Sequence, residues 1–303
     1  MTTSALTSSF VGPNTGRPIP PLSWAADRPA ASERVVGCFL ENLFGRQKHA
    51  PLYSRWAEEV LPTAPDAFQQ FLTMADKKLT VATGALPTPE SIPGPVLVVY
   101  NHPFGLWDGF VSASVTEAMG RPFKFVAHEH YAVGMPHLSD FILPISWEGS
   151  KEASRRNLRT RKRATEELRM GHTVGIFPAG FVATAPRGFG HAVEQPWQPL
   201  AARLVLDTPC TVLPVFCEGQ MGRVAQIARA IHPALGELNQ LTDFYDKFGE
   251  DVRIHIGNPI PFEALEERSS RQRLTHELRE RTLDLGRAAG AYPYPREAAQ
   301  PHA

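Results

Sequence analysis

Residues 96–100, Val-Leu-Val-Val-Tyr, form an unbroken apolar run between Pro95 and Asn101. A β-branched run without polar alternation is what a strand covered on both sheet faces requires. Comparable runs recur at 123–127, 173–177, 211–216 and 252–256, and helical periodicity fills 110–119, 152–170 and 197–206 between them. Strand and helix in alternation predict an α/β fold, with a parallel or mixed sheet covered by helices on both faces. The chain shows no internal repeat.

Before the first run, Ser32 can cap a helix whose Val35, Val36, Phe39, Leu40, Leu43 and Phe44 recur at three- and four-residue intervals. A second stripe, Phe68, Phe71, Leu72, Ala75 and Leu79, starts near Pro65 and Asp66. The expected organisation is a flexible arm over 1–30, a helical subdomain over 31–90, a main domain over 91–288 and a Pro-rich tail over 289–303. Segment 262–288 reads as a charged amphipathic helix.

Net charge of zero gives no global field for nucleic acid or an anionic bilayer, so any such contact needs a local patch. Cys38, Cys210 and Cys217 are scattered and lack metal-ligand spacing, which fits reduced, buried thiols. No run approaches the ~20 apolar residues of a spanning helix. Cytoplasmic residence is the expectation.

Chemistry concentrates where the first strand ends, in Asn101-His102-Pro103-Phe104-Gly105-Leu106-Trp107-Asp108-Gly109. Ligands of open α/β sheets gather at the carboxyl ends of strands. A carboxylate that holds one imidazole nitrogen as a donor leaves the other free to take a proton, so His102 and Asp108 make a candidate general base. A structural His–Asp hydrogen bond fits the same spacing. Two more strand-end turns, Phe177-Pro178-Ala179-Gly180 and Pro214-Val215-Phe216-Cys217-Glu218-Gly219, can converge on one site with it.

Taken together, these motifs resemble the lysophospholipid acyltransferase superfamily, nearest its hemolysin-like and ornithine-lipid N-acyltransferase branch. The likeness runs from about Glu33 to about Phe262: Asn101 to Gly109, Phe177 to Gly180, Pro196 to Pro199 and Pro214 to Gly219 stand in the branch's order. Five residues separate His102 from Asp108, where the glycerolipid enzymes have four. The resemblance implies a central mixed, mostly parallel sheet flanked by helices, with the N-terminal helices as an extension. It also implies transfer of a fatty acyl group to a hydroxyl or amine, without a covalent enzyme intermediate. His102 is then the base and Asp108 its orienting carboxylate. Asn101, Phe177, Pro178, Ala179, Gly180 and Phe181 form the oxyanion and substrate loop, and Phe104, Trp107, Pro214 and Glu218 are pocket candidates. No cofactor is held permanently: acyl-CoA or acyl carrier protein enters as co-substrate, and a lipid or small molecule accepts.

Where relatives carry a glutamate in or after the second motif, this chain has Ala179 and Phe181. The acidic contact to a polar acceptor is therefore missing from both places, and Phe181 reads either as a pocket wall or as core. Arg155, Arg159 and Arg163 share a face of one basic helix, which is a solvated surface or a landing site for an acidic carrier protein or for coenzyme A phosphates. His128, Glu129, His130 and His137 lack the helical spacing of a zinc motif, so no metal is expected. Trp107 is the tryptophan placed in the site. Peripheral membrane contact through the N-terminal stripes is allowed and nucleic acid is not expected. The rival readings are a hydrolase using the same pair, and a non-catalytic binder of lipid or carrier.

Overall fold

The computed structural model describes residues 10–231 and 243–297. Among them, β1 (Leu79–Thr83), β2 (Val96–Tyr100), β3 (Phe123–His128), β4 (Ile142–Ile145), β5 (Thr173–Ile176), β6 (Thr211–Cys217) and β7 (Val252–Ile256) make one sheet in the order β1-β7-β6-β2-β5-β3-β4. The helices are α1 (Ala31–Leu43), α2 (Arg46–Arg55), α3 (Ala67–Met74), α4 (Leu106–Glu117), α5 (Tyr131–Gly134), α6 (Lys151–Arg169), α7 (Leu200–Asp207), α8 (Arg223–Ile231) and α9 (Arg271–Ala288). Only the β6–β7 pairing is antiparallel, so the sheet is mixed and mostly parallel, an α/β fold as expected.

β2 lies in the middle of the sheet with every residue buried, which is why its sequence shows no polar alternation. Val96, Val98 and Tyr100 face α4 and the N-terminal helices, while Leu97 and Val99 face the layer that contains α7 and α9. Each such aliphatic side chain contributes roughly 1.5–3 kcal/mol through burial.

Several expectations need correcting here. The second N-terminal helix stops at Met74, and Leu79 opens strand β1, paired with β7 at the sheet edge. Its burial pattern is only partial, so an apolar residue at the end of a helical stripe could not announce a strand. The segment 31–90 is also not an independently packed subdomain: Tyr53, Trp56 and Phe71 belong to the same buried cluster as Val98 and Trp107. Glu117 of α4 accepts from the Phe68 and Gln69 N–H groups at 2.9 and 2.6 Å, capping α3 from the main domain.

The described part of the expected arm, residues 10–30, is packed rather than loose. Leu22 and Ser23 are buried, Glu41 accepts from the Trp24 and Ala25 N–H groups, each at 2.8 Å, and Trp24 Nε1 donates to His130 O. Residues 1–9 lie outside the described residues. The tail also packs, with Tyr292 buried against Phe216 and its hydroxyl accepting from Glu194 N. The helix expected over 262–288 begins only at Arg271, where Ser270 caps it.

The expected apolar stripe of α1 exists but faces outward: Val35 is 71% and Phe39 65% exposed, alongside exposed Val36, Leu43 and Phe44. The face turned to the protein carries Gly37 and Glu41 instead. No helix among the described residues is long and apolar enough to cross a membrane.

Candidate active site

The chain leaves β2 at Tyr100, and Asn101 fastens the exit: its Nδ2 donates to Cys217 O at 2.9 Å and its Oδ1 accepts from Cys217 N at 2.7 Å. Both ends of the amide are thus committed to β6. Asn101 is a clamp between strands, and its place in an oxyanion loop is not supported by this geometry.

Asp108 sits in the first turn of α4, directly after a reversal at Gly105 whose φ of 83° and ψ of −108° suit only glycine. One oxygen of the carboxylate, Oδ2, accepts from the Phe104 and Gly105 N–H groups at 2.8 Å each and lies 2.6 Å from His102 Nδ1. Two backbone N–H donors and the His102 ring nitrogen thus converge on Oδ2 at the start of α4. A ring whose Nδ1 donates to that carboxylate would have Nε2 free to accept a proton. Asp108 Oδ1 is buried without a hydrogen-bond partner among the described residues. Phe177 stacks on the imidazole with centroids 4.7 Å apart, so the ring is held at its edge and on one face.

His102 opens on an apolar cavity along the carboxyl ends of β2, β3, β4 and β5. Gly105, Leu106, Gly109, Phe110 and Ala113 of the loop and α4 line one wall. Phe125, Val126, Ala127, Ile142 and Ile145 form the strand side, Tyr131, Met135, Leu138 and Phe141 the side of α5 and the turn after it, and Phe68 reaches in from α3. His128, Trp147, Phe177 and Gly180 complete the lining.

None of the four sequence-picked pocket residues lines this cavity. Trp107 turns one helical step away from Leu106 and Phe110 and donates its indole N–H to Phe244 O at 2.8 Å, within a cluster containing Phe71 and Phe248. Phe104 is buried against Gly219, and Pro214 lies within β6 beside Val99 of β2. Glu218 lies 2.6 Å from His255 Nε2 and pairs with Arg253 on the β7 side. A strand-end motif fixes where a segment leaves the sheet, not which way its side chains turn.

In the second turn, Pro178 O accepts from Gln198 N, Ala179 is buried, and Gly180, at φ +71°, closes the turn by donating to Phe177 O. The Ala179 and Phe181 N–H groups make no hydrogen bond to another described residue. Phe181 is not core: it is 46% exposed and stacks at 4.7 Å on Trp147, which in turn stacks at 4.6 Å on His128. These aromatics rim the cavity.

His130 stays beside His128, its N–H donating to His128 Nδ1 at 3.2 Å with ring centroids 5.6 Å apart, whereas Glu129 pairs with Arg156 and His137 packs among the rings of Phe10 and Tyr53. Arg155, Arg159 and Arg163 stand exposed on one side of α6. Arg156 on the same side bridges Glu129 and Glu148, the neighbours of His128 and Trp147, so this basic face starts beside the rim.

The residue that sequence reasoning missed is Glu194. It is fully buried, accepts from His102 N at 3.1 Å and Trp197 Nε1 at 2.9 Å, and burial pushes its carboxyl up to about 7. Its one sequence signal is its position just before the Pro196-Trp197 motif.

A family model described as Acyltransferase matches residues 82–290. The crystal structure of the 1-acyl-sn-glycerophosphate (LPA) acyltransferase PlsC from Thermotoga maritima is similar over 84% of this chain and 97% of that one, at 15% identity and a TM-score of 0.48. No curated protein matches the sequence. The family match spans the catalytic loop, the second turn and all strands but the start of β1, well over half of the sequence, and the chain therefore belongs to the acyltransferase family.

Proposed function

We propose that this acyltransferase moves a fatty acyl group from a thioester of acyl carrier protein or coenzyme A to a hydroxyl or amine, in the manner of the hemolysin-like and ornithine-lipid branch. The observation that carries the reading is one imidazole, fixed by Asp108 at 2.6 Å, opening on a cavity whose lining is almost wholly apolar. A hydrocarbon chain is the ligand such walls accommodate.

His102 Nε2 takes the proton of the acceptor as its oxygen or nitrogen bonds to the thioester carbonyl carbon. Asp108 stabilises the imidazolium that results. The tetrahedral oxyanion is met by the Ala179 and Phe181 N–H groups. Its collapse breaks the C–S bond, and the leaving thiolate takes the proton back from His102. No covalent enzyme intermediate is needed.

The basic side of α6, with Arg155, Arg159 and Arg163, receives the acidic carrier protein or the coenzyme A phosphates, because it begins at the cavity rim. Acceptor choice follows from Ala179 and Phe181: an apolar rim without a carboxylate favours an acceptor other than glycerol phosphate. The outward apolar face of α1, flanked by Arg34 and Lys48, docks on an anionic bilayer, so the protein works at a membrane surface on the cytoplasmic side.

Incubation with acyl carrier protein or coenzyme A thioesters and a panel of lysophospholipids, amino acids and amines, followed by mass spectrometry, tests the reading. An acylated acceptor is expected. Free fatty acid as the sole product, with and without acceptor, would make the enzyme a hydrolase.

A further inference from the structure

We infer that Glu194 is a positioning residue for His102, a second carboxylate that fixes the peptide carrying the catalytic base. The inference rests on the acyl-transfer reading for its kinetic consequence and on geometry alone for its existence.

The peptide of His102 is gripped at both ends. Its N–H donates to Glu194 Oε2 at 3.1 Å, and its C=O accepts from Ala183 N at 2.7 Å. Glu194 is itself held: Oε1 accepts from the Trp197 indole at 2.9 Å, its N–H donates to the Tyr292 hydroxyl at 3.3 Å, and its C=O accepts from Arg279 at 3.2 Å. Asp108 fixes the ring of His102, and Glu194 fixes the backbone that carries it.

The donor pattern decides the charge state this arrangement needs. Each carboxylate oxygen faces an N–H group, so both must accept. A glutamine would turn its NH2 toward one of those N–H groups and lose that bond, and a protonated carboxyl would meet one of them with a weaker, neutral acceptor. Ionised Glu194 therefore completes the site and neutral Glu194 loosens it. Burial opposes ionisation, and the Trp197 and His102 N–H bonds, with the charges of His102 and Arg279, favour it, so the group titrates near 7. The other ionisable groups around it are Tyr292 and, through Arg279, Glu280 and Glu297. The arrangement also gives the Pro196-Trp197 motif a role: its indole holds the carboxylate in its charged form.

The test uses the full-length protein in two arms. In the first, the pH dependence of kcat is compared among wild type, E194Q and W197F. E194Q should lower kcat roughly 10-fold, a fraction of the 10²–10⁴ that a general base supplies, with the KM for the donor nearly unchanged. W197F, which keeps the carboxylate and removes a donor, should move the acid limb to higher pH. In the second arm, the Trp197 indole N–H resonance is followed by NMR. It should titrate with a midpoint near 7 in wild type and be flat in E194Q. A folded E194Q with wild-type kcat and acid limb, or an indole that titrates in the ordinary carboxylate range, overturns the inference. If E194Q fails to fold, W197F decides: an unmoved acid limb sinks the inference and a raised one supports it. Absence of any turnover in wild type would count against acyl transfer, and the indole arm alone would then decide.

Discussion

The ring of Phe177 stacks on the ring of His102, with centroids 4.7 Å apart and planes 28° from parallel. The contact joins the turn after β5 to the loop after β2, so two strand ends jointly set where the base points.

Phe177→Ala removes that wall and frees the imidazole to rotate out of line. A loss of about 10-fold in kcat/KM is expected, since small misplacements of reacting groups cost up to ~10²-fold. Phe177→Leu should recover most of it, and steady-state kinetics of the two variants checks the order.

Asp108→Asn presents an amide where two backbone N–H donors and the His102 ring nitrogen converge on one oxygen. Either the tautomer of His102 or the turn at Gly105 must give way. The expected loss in kcat is about 10²–10⁴, the contribution of a positioned general base, with the upper end reached when the orienting carboxylate of a triad becomes an amide and circular dichroism confirming the fold.

Gly109 lines the cavity from inside α4, and a Cβ there would meet no atom within 4 Å. Gly109→Leu should leave the melting temperature unchanged or raise it, because Gly costs a helix about 1 kcal/mol relative to good helix formers. The same side chain occupies space meant for hydrocarbon. KM should rise for long-chain donors and change little for short ones, in assays over a series of acyl lengths.

Burial raises the carboxyl groups of Glu117 and Glu194 to about 7 from 4.5. The folded protein thus binds these protons more tightly than the unfolded chain. Their contribution to stability is fully present below about pH 4.5 and is lost as pH rises through 7. For fully buried Glu194 the effect is on the order of 3 kcal/mol, and for half-buried Glu117 solvent screening reduces it to about 1 kcal/mol. Asp284, held down by Arg296 and Arg287 against the opposing effect of burial, acts in the other direction at lower pH. Melting temperature should therefore fall between pH 5 and pH 8, and the fall should be shallower in Glu194→Gln. A flat profile in wild type would contradict this.

Phe39→Glu with Leu43→Glu changes only exposed positions of α1. Co-sedimentation with vesicles containing anionic lipid should be lost while the melting temperature stays the same.

Much of this was legible in the sequence, and the exceptions share a cause. β2 and β7 were readable to the residue: full burial leaves β2 an unbroken apolar run, and β7 keeps β-branched Val252, Ile254 and Ile256 in alternation with Arg253 and His255. β4 is short and contains a proline, and β1 is an edge strand with a half-polar pattern, so neither stood out. The His102–Asp108 pair was legible because both residues sit on one loop. Glu194 was not, since it reaches His102 across 92 residues. The pocket residues failed for a directional reason: Trp107 and Phe110 are both apolar and lie on one helix, yet of the two only Phe110 lines the cavity. The stripe of α1 was legible as a helix, but apolar periodicity does not state whether the partner is protein or lipid.

The most direct test of the central claim is single-turnover acyl transfer by His102→Ala beside wild type, with the acylated product quantified by mass spectrometry. The account predicts a loss of at least ~10²-fold in rate, the low end of general-base catalysis, with donor binding retained. Undiminished transfer by a folded His102→Ala protein would contradict it.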